Sequence, residues 1–431
     1  MKKQNINQIL KEVLSRVNPP EEDIIDIEKF LKILVLRIEK NLKSRKINAE
    51  VFIGGSFAKK TLIKKGLYDI DVFIRFSEEN KGKSISKFTE KAIGGIKKMG
   101  KISLVHGSRD YFKIEPDNRN FFIEIIPVMK IKNPKNAENI TDLSYFHVSY
   151  IRKRLKTEKM LADIKLAKAF CHANKSYGAE SYINGFSGYA IELLVHYYKG
   201  FLNFVKAMAK IKNKEIIDIE RLYKNKNEIM MNMNSAKMNS PIILIDPTYR
   251  ERNALAALSE ETLAHFREAC KKFLKNPLME FFEEKKINLE RIRKNAEKSK
   301  KEFILLRAET DMQEGDIAGS KLVKFYRHLK NEINKFYTVS SDGFDYGGKK
   351  EAQFFFVAKS RGKIISRGPD ANDKRNAALF KKKHRNTFIK GGKIYTEEKI
   401  EKDIEKFIKE WMNSNYEKMN DMHINELSIE S

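Results

Sequence analysis

Apolar residues recur at helical spacing between residues 21 and 42, where Ile24, Ile27, Leu31, Leu34, Ile38 and Leu42 form one stripe. Asn18 is placed to cap this helix, and Pro19-Pro20 suit its first turn. The period then shortens. Residues 47–53 and 70–76 read as strands, 86–98 as a helix, and 111–114 with 121–126 as a hairpin closed through Pro116-Asp117-Asn118. Beyond residue 148 the pattern is mainly helical, with apolar spacing over 155–173, 189–209 and 260–274 and a short apolar strand at 242–245. Residues 225–240, rich in Asn, Met and Lys, interrupt it and are expected to form a flexible loop. After a basic segment at 285–301, strands are predicted at 303–308 and 351–358 around a helix at 320–336; a basic stretch at 361–393 and a helix over 397–412 follow. No internal repeat is visible.

These elements predict an α+β, multidomain chain. A mixed sheet with flanking helices occupies 1–147, a mainly helical central domain 148–285, and an α/β region 286–431. The length of 431 residues agrees, since domains average about 150 residues.

Charge adds a partner to this picture. The formal net charge is +27, with Lys and Arg spread from end to end, and such a field attracts a long polyanion. Met1-Lys2-Lys3-Gln4-Asn5 lacks the apolar core of a signal peptide, and the apolar run at 189–198 is broken by Glu192 and His196. A cytoplasmic protein without membrane attachment is expected. Cys171 and Cys270 stand far apart, without Cys-x-x-Cys or Cys/His spacing, which points to small core residues and away from disulfides or zinc.

The chemistry is concentrated early in the chain. Gly54-Gly55-Ser56 follows the first strand, and Asp69-Ile70-Asp71 opens the second. Alternate strand residues share a face, so Asp69 and Asp71 project together while Ile70 points into the core. Like charges held that close repel unless a divalent cation lies between them, and oxygen-only ligands suit magnesium or manganese. The glycine turn suits phosphate, because its backbone can approach an anion closely. A third acid on a neighbouring strand is needed for two-metal transfer. Glu124, inside the apolar run Phe122-Ile123-Glu124-Ile125-Ile126, is the candidate: buried, it would be costly unless paired with a metal, and the alternative is a place on the solvent face of an edge strand.

Together these segments resemble the nucleotidyltransferase fold of DNA polymerase beta-like enzymes, poly(A) polymerases and CCA-adding enzymes. They are most similar to the archaeal, class I CCA-adding tRNA nucleotidyltransferases. The match rests on Gly55-Ser56-Phe57-Ala58-Lys59, Asp69-Ile70-Asp71-Val72-Phe73, Tyr177-Gly178-Ala179-Glu180, Gly185-Phe186-Ser187-Gly188-Tyr189 and Glu192-Leu193-Leu194. Asp246-Pro247, Arg252-Asn253 and Ala256-Ala257-Leu258-Ser259 extend it, and Arg367-Gly368-Pro369, Arg375-Asn376 and the basic run ending at Asn386 continue it in patches.

The resemblance implies roles. Asp69, Asp71 and Glu124 would hold two Mg2+ ions, with Mn2+ as a substitute, beside the incoming 3'-hydroxyl. Gly55, Ser56 and Lys59 of the glycine-serine motif, together with Lys168 and Tyr177, would bind the triphosphate, and Arg252 would read the base of CTP or ATP. The implied activity is template-independent addition of C, C and A to the 3' end of tRNA with release of pyrophosphate. The basic C-terminal region would grip the acceptor stem and T-arm, and a homodimer is left open. Phe354, Phe355, Phe356, Phe380 and Phe388, lying amid this charge, are expected mainly in the core rather than stacked on bases. Two departures stand out: the family's third acid is aspartate where this chain has Glu124, and a phosphate-contacting histidine is replaced near Arg109, which is expected to bind phosphate in its stead. The alternatives are a poly(A) polymerase, an enzyme adding only C or only A, or a silent tRNA-binding protein.

Overall fold

Asn5 accepts a hydrogen bond from the Asn7 backbone N–H and opens α1 (Ile6–Val17), whose Ile9, Leu10 and Val13 are buried. The computed structural model describes residues 5–284, 287–400 and 402–430, apart from the side chains of residues 97, 235 and 236. The chain divides into two compact units, Met1–Lys285 and Lys286–Ser431. Lys285 and Lys286, at the boundary expected between central and C-terminal regions, lie outside the described residues.

The stripe expected over 21–42 is α2 (Glu21–Ser44), with Ile27, Leu31, Leu34, Ile38 and Leu42 buried. Glu21, Glu22 and Asp23 occupy its first turn, where they complement the helix dipole. Its apolar face covers a five-stranded sheet built from β1 (Ala49–Ile53), β2 (Tyr68–Phe76), β3 (Lys101–Val105), β4 (Tyr111–Glu115) and β5 (Phe121–Met129), in the order β1-β2-β5-β4-β3. A single helical turn, α3 (Gly55–Ala58), links β1 to β2, and α4 (Ile85–Ile93) packs beside α2. Helix α4 stops short of the expected residue 98 because Gly94-Gly95 terminates it, Gly95 with φ +89°. The hairpin expected around Asn118 is β4–β5, with Asn118 at φ +56°. Strands β2 and β5 run parallel, whereas β1–β2, β4–β5 and β3–β4 are antiparallel. Ile70, Val72, Ile74, Ile123 and Ile125 enter the core beneath α2, which leaves Asp69, Asp71 and Glu124 on the opposite face.

The rest of the first unit is mainly helical: α5 (Ser144–Arg154), α6 (Glu158–Ala173), α7 (Gly188–Tyr197), α8 (Phe201–Lys210), α9 (Lys226–Asn232) and α10 (Glu260–Lys275). A small sheet, β6 (Glu215–Ile217), β7 (Ile242–Asp246) and β8 (Tyr249–Asn253), lies among them in the order β6-β7-β8. Phe170, Phe186, Phe204, Phe266 and Phe273 pack at the centre with Cys171 and Cys270, both buried free thiols. The helix expected over 189–209 is two helices, parted at Gly200 with φ +128°. The one expected from residue 155 starts at Glu158, where the Thr157 side chain caps it. Residues 225–240 are not the expected loop: Asn225 caps α9, and Ile229 and Met233 are buried against Tyr223, Ile243 and Ile245. Two apolar anchors four residues apart suffice to hold this polar stretch. No described helix is long and apolar enough to cross a membrane.

The second unit comprises α11 (Leu289–Lys298), β9 (Glu302–Glu309), α12 (Asp316–Phe336), β10 (Tyr337–Tyr346), β11 (Glu351–Ser360), β12 (Lys363–Asp370), α13 (Lys374–Lys383), β13 (Thr387–Lys390), β14 (Lys393–Lys399), α14 (Ile404–Ser414), α15 (Tyr416–Asp421) and β15 (Glu426–Glu430). One sheet, β10-β11-β9-β15, packs against α12 and α14. A second, β12-β14-β13, carries α13. The basic stretch at 361–393 is therefore ordered into strands and a helix, and the helix expected from 397 begins only at Ile404, after β14. Phe354, Phe355 and Phe356 are buried, as expected of core residues, whereas Phe388 departs from that expectation: it is exposed on the short strand β13, where it stacks on Tyr395.

Candidate active site

Parallel pairing of β2 with β5 sets Asp71 directly opposite Glu124. Lys113 of β4 faces Glu124 from its other side. Both acids are half-buried and share one rung of the sheet, and their ionisation reflects it. Burial, reinforced by the charge of Asp69, raises Asp71 to about 6 against the pull of Lys59, Lys65 and Lys168. Burial, followed by the charges of Asp71 and Asp69, raises Glu124 to about 7, although Lys113 and a hydrogen bond from Tyr111 favour its ionised form. Asp69 is half exposed and accepts a hydrogen bond from Lys65 Nζ at 3.1 Å.

The glycine turn is bonded to this strand. The Gly54 N–H donates to the Asp71 carbonyl at 2.9 Å, and a Cβ on Gly54 would lie 2.8 Å from Phe73 Cδ2. Gly55 has φ +59°, and a Cβ there would overlap the Asp71 carboxylate, coming within 2.7 Å of its Cγ. Glycine is thus required twice, once for space against a ring and once for both conformation and space. Ser56 follows in the single turn of α3, its carbonyl accepting from the Thr61 N–H at 2.9 Å.

Beyond the turn, Lys59 and Lys168 meet at one carboxylate. Glu192 Oε2 accepts from Lys59 Nζ at 2.7 Å, and Glu192 Oε1 accepts from Lys168 Nζ at 2.9 Å and from Thr61 Oγ1 at 2.7 Å. Burial alone would raise Glu192, but the two ammonium groups outweigh it and hold the acid at about 2. Tyr177 stacks on His172 with ring centroids 3.8 Å apart, and its hydroxyl faces Gly188 at the start of α7, where a Cβ would lie 2.8 Å from it. Burial, then the charges of Asp69 and Glu192, push the Tyr177 phenol upward, so it stays a neutral donor.

Arg252 lies in a separate cluster around buried Asp246. Asp246 Oδ2 accepts from Arg252 at 2.8 Å and pairs with His147 Nε2 at 2.9 Å, while Oδ1 accepts from the Tyr189 hydroxyl at 3.0 Å and from the Thr248 N–H and hydroxyl, each at 2.8 Å. His147 stacks on Tyr189 at 4.1 Å, and the Arg252 guanidinium lies 5.9 Å from the same ring. Arg109 is engaged elsewhere: its guanidinium binds buried Asp142 and the Pro127 carbonyl, and Asp142 also accepts the N–H groups of Met129, Glu138 and Asn139. This staple occupies the arginine within its own domain.

Sequence reasoning passed over Glu192, Thr61, His147, Tyr189 and Asp246 as site residues. Glu192 had a signal, since it is an acid within the apolar run Ala190-Ile191-Glu192-Leu193-Leu194-Val195, the same pattern that marked Glu124. His147 had none, because only the fold brings it to Asp246. Among the described residues no group of three or more His, Cys, Asp or Glu side chains is gathered closely enough to hold a metal ion by itself. What the site offers is an open set of oxygen donors, two of them facing acids whose ionisation a bound cation would favour, and donors of this kind suit a hard divalent cation.

Residues 35–142 match the family described as nucleotidyltransferase domain, and residues 162–283 the family described as tRNA nucleotidyltransferase, second domain. Among curated proteins, the chain is 34% identical to the CCA-adding enzyme of Nanoarchaeum equitans over 382 residues, 88% of this chain and 90% of that one. It is 29% identical to the CCA-adding enzyme of Methanocaldococcus jannaschii over 427 residues, covering 95% of this chain and 91% of the relative. Among solved structures, the RNA terminal uridylyl transferase Cid1 superposes with a TM-score of 0.52 at 14% identity, covering 66% of this chain and all of its own, which shows a shared polymerase beta-like fold. With nine-tenths of a curated relative spanned at that identity, the chain belongs to the archaeal CCA-adding enzymes, a family of tRNA nucleotidyltransferases.

Proposed function

We infer that the chain adds C, C and A to the 3' end of tRNA, taking CMP from CTP and AMP from ATP, without a template and with release of pyrophosphate. The observation that carries the chemistry is the in-register facing of Asp71 and Glu124 beside the Gly54-Gly55-Ser56 turn. Asp69, Asp71 and Glu124 would hold two Mg2+ ions, with Mn2+ as a substitute, whose chemistry when bound is to acidify the terminal 3'-hydroxyl and offset the charge on the departing pyrophosphate. The protein contributes position. Backbone N–H groups of the turn and the Ser56 hydroxyl approach the triphosphate, Lys59 and Lys168 balance its charge, and the Tyr177 hydroxyl donates to it. Arg252, steadied by Asp246, presents its guanidinium to the base. Glu124 reaches one methylene further than the aspartate implied by the family pattern, and a bound cation would offset the desolvation that raises it. Arg109, already bound to Asp142, serves the architecture.

The labour is divided along the chain. Residues 1–147 carry the acids and Lys59, 148–285 the tyrosine and arginine that receive nucleotide and the Lys168 charge behind them, and 286–431 the basic surfaces that grip tRNA through phosphate and helix shape.

A tRNA transcript lacking its terminal CCA, incubated with Mg2+ and CTP alone, ATP alone or both, tests the reading through product length. Two residues from CTP alone and three from the mixture are expected. Runs of A from ATP would mean a poly(A) polymerase, addition from one nucleotide only would mean a partial enzyme, and no CMP incorporation at any metal concentration would refute the activity. Asp71→Ala should eliminate incorporation while leaving tRNA affinity essentially unchanged.

A further inference from the structure

Glu192 lies on α7 and is 0% exposed. Its carboxylate joins two segments distant in sequence, the turn after β1 through Lys59 and Thr61, and α6 through Lys168. Hydrogen-bond bookkeeping separates the two lysines. Lys168 Nζ donates to Glu192 Oε1 at 2.9 Å, Thr61 Oγ1 at 2.8 Å and the Thr61 carbonyl at 3.2 Å. An ammonium group has three N–H donors, so all three are engaged. Among the described residues Lys59 Nζ donates once, to Glu192 Oε2 at 2.7 Å, which keeps two donors for a ligand. Its side chain also retains slight exposure, 9% against 2% for Lys168. One carboxylate between two ammonium groups leaves a net charge of +1 beside the glycine turn.

We propose that Glu192 is a positioning residue for nucleotide binding: anchored by Lys168 and Thr61, it fixes the Lys59 ammonium with two donors free to receive the polyphosphate, without touching nucleotide itself. The inference rests on the reading of Lys59 as a triphosphate ligand. Freed from Glu192, Lys59 would sample the rotamers open to a long flexible side chain, and ordering it would then fall on nucleotide binding. Loss of the acid would also leave the Lys168 ammonium buried and short of its charged acceptor.

The test is a double-mutant cycle of Glu192→Gln and Lys59→Met, read as KM and kcat for CMP addition to the truncated tRNA, with melting temperatures taken in parallel. Lys59→Met should raise the KM for CTP by about tenfold, the scale of one charge-assisted hydrogen bond. Glu192→Gln should raise it comparably, and the double variant should be no weaker than Lys59→Met alone, because the two act through one contact. Some loss of melting temperature is expected on either reading, since Lys168 loses its acceptor; a merely structural Glu192 would multiply its effect on KM with that of Lys59→Met, and that would overturn the proposal. An unchanged KM in Lys59→Met would overturn the lysine reading and the proposal with it, whereas a raised KM there with a normal KM in folded Glu192→Gln would overturn the proposal alone. Should Glu192→Gln not fold, Glu192→Asp keeps the charge and shortens the reach. Its KM for CTP should rise with kcat nearly intact, and a normal KM would refute the positioning role.

Discussion

Replacing Gly55 by Ala adds one carbon at the point where the phosphate turn meets the carboxylates. Two costs can be separated. Gly55 has φ +59°, a conformation costing an L-residue about 1–2 kcal/mol, so the melting temperature should fall by only a few degrees. The new methyl would also lie 2.7 Å from Asp71 Cγ and 3.2 Å from Asp71 Cβ, whereas carbon atoms settle at about 3.5–4.0 Å. Because the Gly54 N–H is bonded to the Asp71 carbonyl, the turn and strand cannot simply part, and the carboxylate must swing by about 1 Å. A displacement of that size in a catalytic group costs about a hundredfold in rate. The first CMP addition at saturating CTP should therefore slow by about two orders of magnitude, with tRNA binding unchanged. Gly66→Ala is the control, since a Cβ there meets nothing within 4 Å. A Gly55→Ala rate within about threefold of the unmodified enzyme would refute the claim that Asp71 is placed by contact with the turn.

Three further outcomes are expected. Asp246→Asn removes the carboxylate shared by Arg252 and His147; breaking a buried pair costs about 3–5 kcal/mol, and calorimetry should show that loss. His172 is lowered to about 4 by burial, then by Lys65, so the unfolded chain takes up a proton below about pH 6.5 that the folded one refuses until about 4; stability is lost as pH falls through that window, by at most about 3 kcal/mol. His172→Phe, which keeps a ring against Tyr177 and deletes an Nε2 without a hydrogen-bond partner among the described residues, should flatten the dependence of melting temperature on pH between about 7 and 4.5 relative to the unmodified protein. Reversing the charges of exposed Lys381, Lys382 and Lys383 in the last turn of α13 should weaken tRNA binding and reduce its salt slope by about one for each phosphate no longer neutralised; an unchanged slope would remove α13 from the tRNA footprint.

What could be read from the sequence follows the range of the forces involved. The period-2 run around Ile70 and the stripe of α2 are local patterns, and the fold reproduces them because one face of each is buried. Gly54-Gly55-Ser56 with Asp-x-Asp was legible for the same reason, as turn and strand are adjacent in the chain. Elements without a local signature were missed. β15 is five residues near the chain end that are completed only by pairing with β9, and α9 depends on Ile229 and Met233 finding Ile243 and Ile245. The site divides likewise. Glu124 stood out as an acid in an apolar strand, whereas His147 acquires meaning only when the fold delivers it to Asp246, 99 residues away. The engagement of Arg109 by Asp142 is equally non-local, and sequence could show only a cation near the third acid.

The parallel pairing of β2 with β5 also bears on how the enzyme comes into being. Asp71 and Glu124 lie more than fifty residues apart along the chain, yet share one rung of the sheet, and such distant pairings are slow because loop closure precedes any gain from the contact. A nascent chain that has made β2 but not β5 has no carboxylate pair and nothing to hold a hard cation. Any affinity of the finished site for that cation then acts, by mass action, only on chains in which the two strands have closed. The ion that would serve catalysis would thus also act as a clasp on the completed sheet.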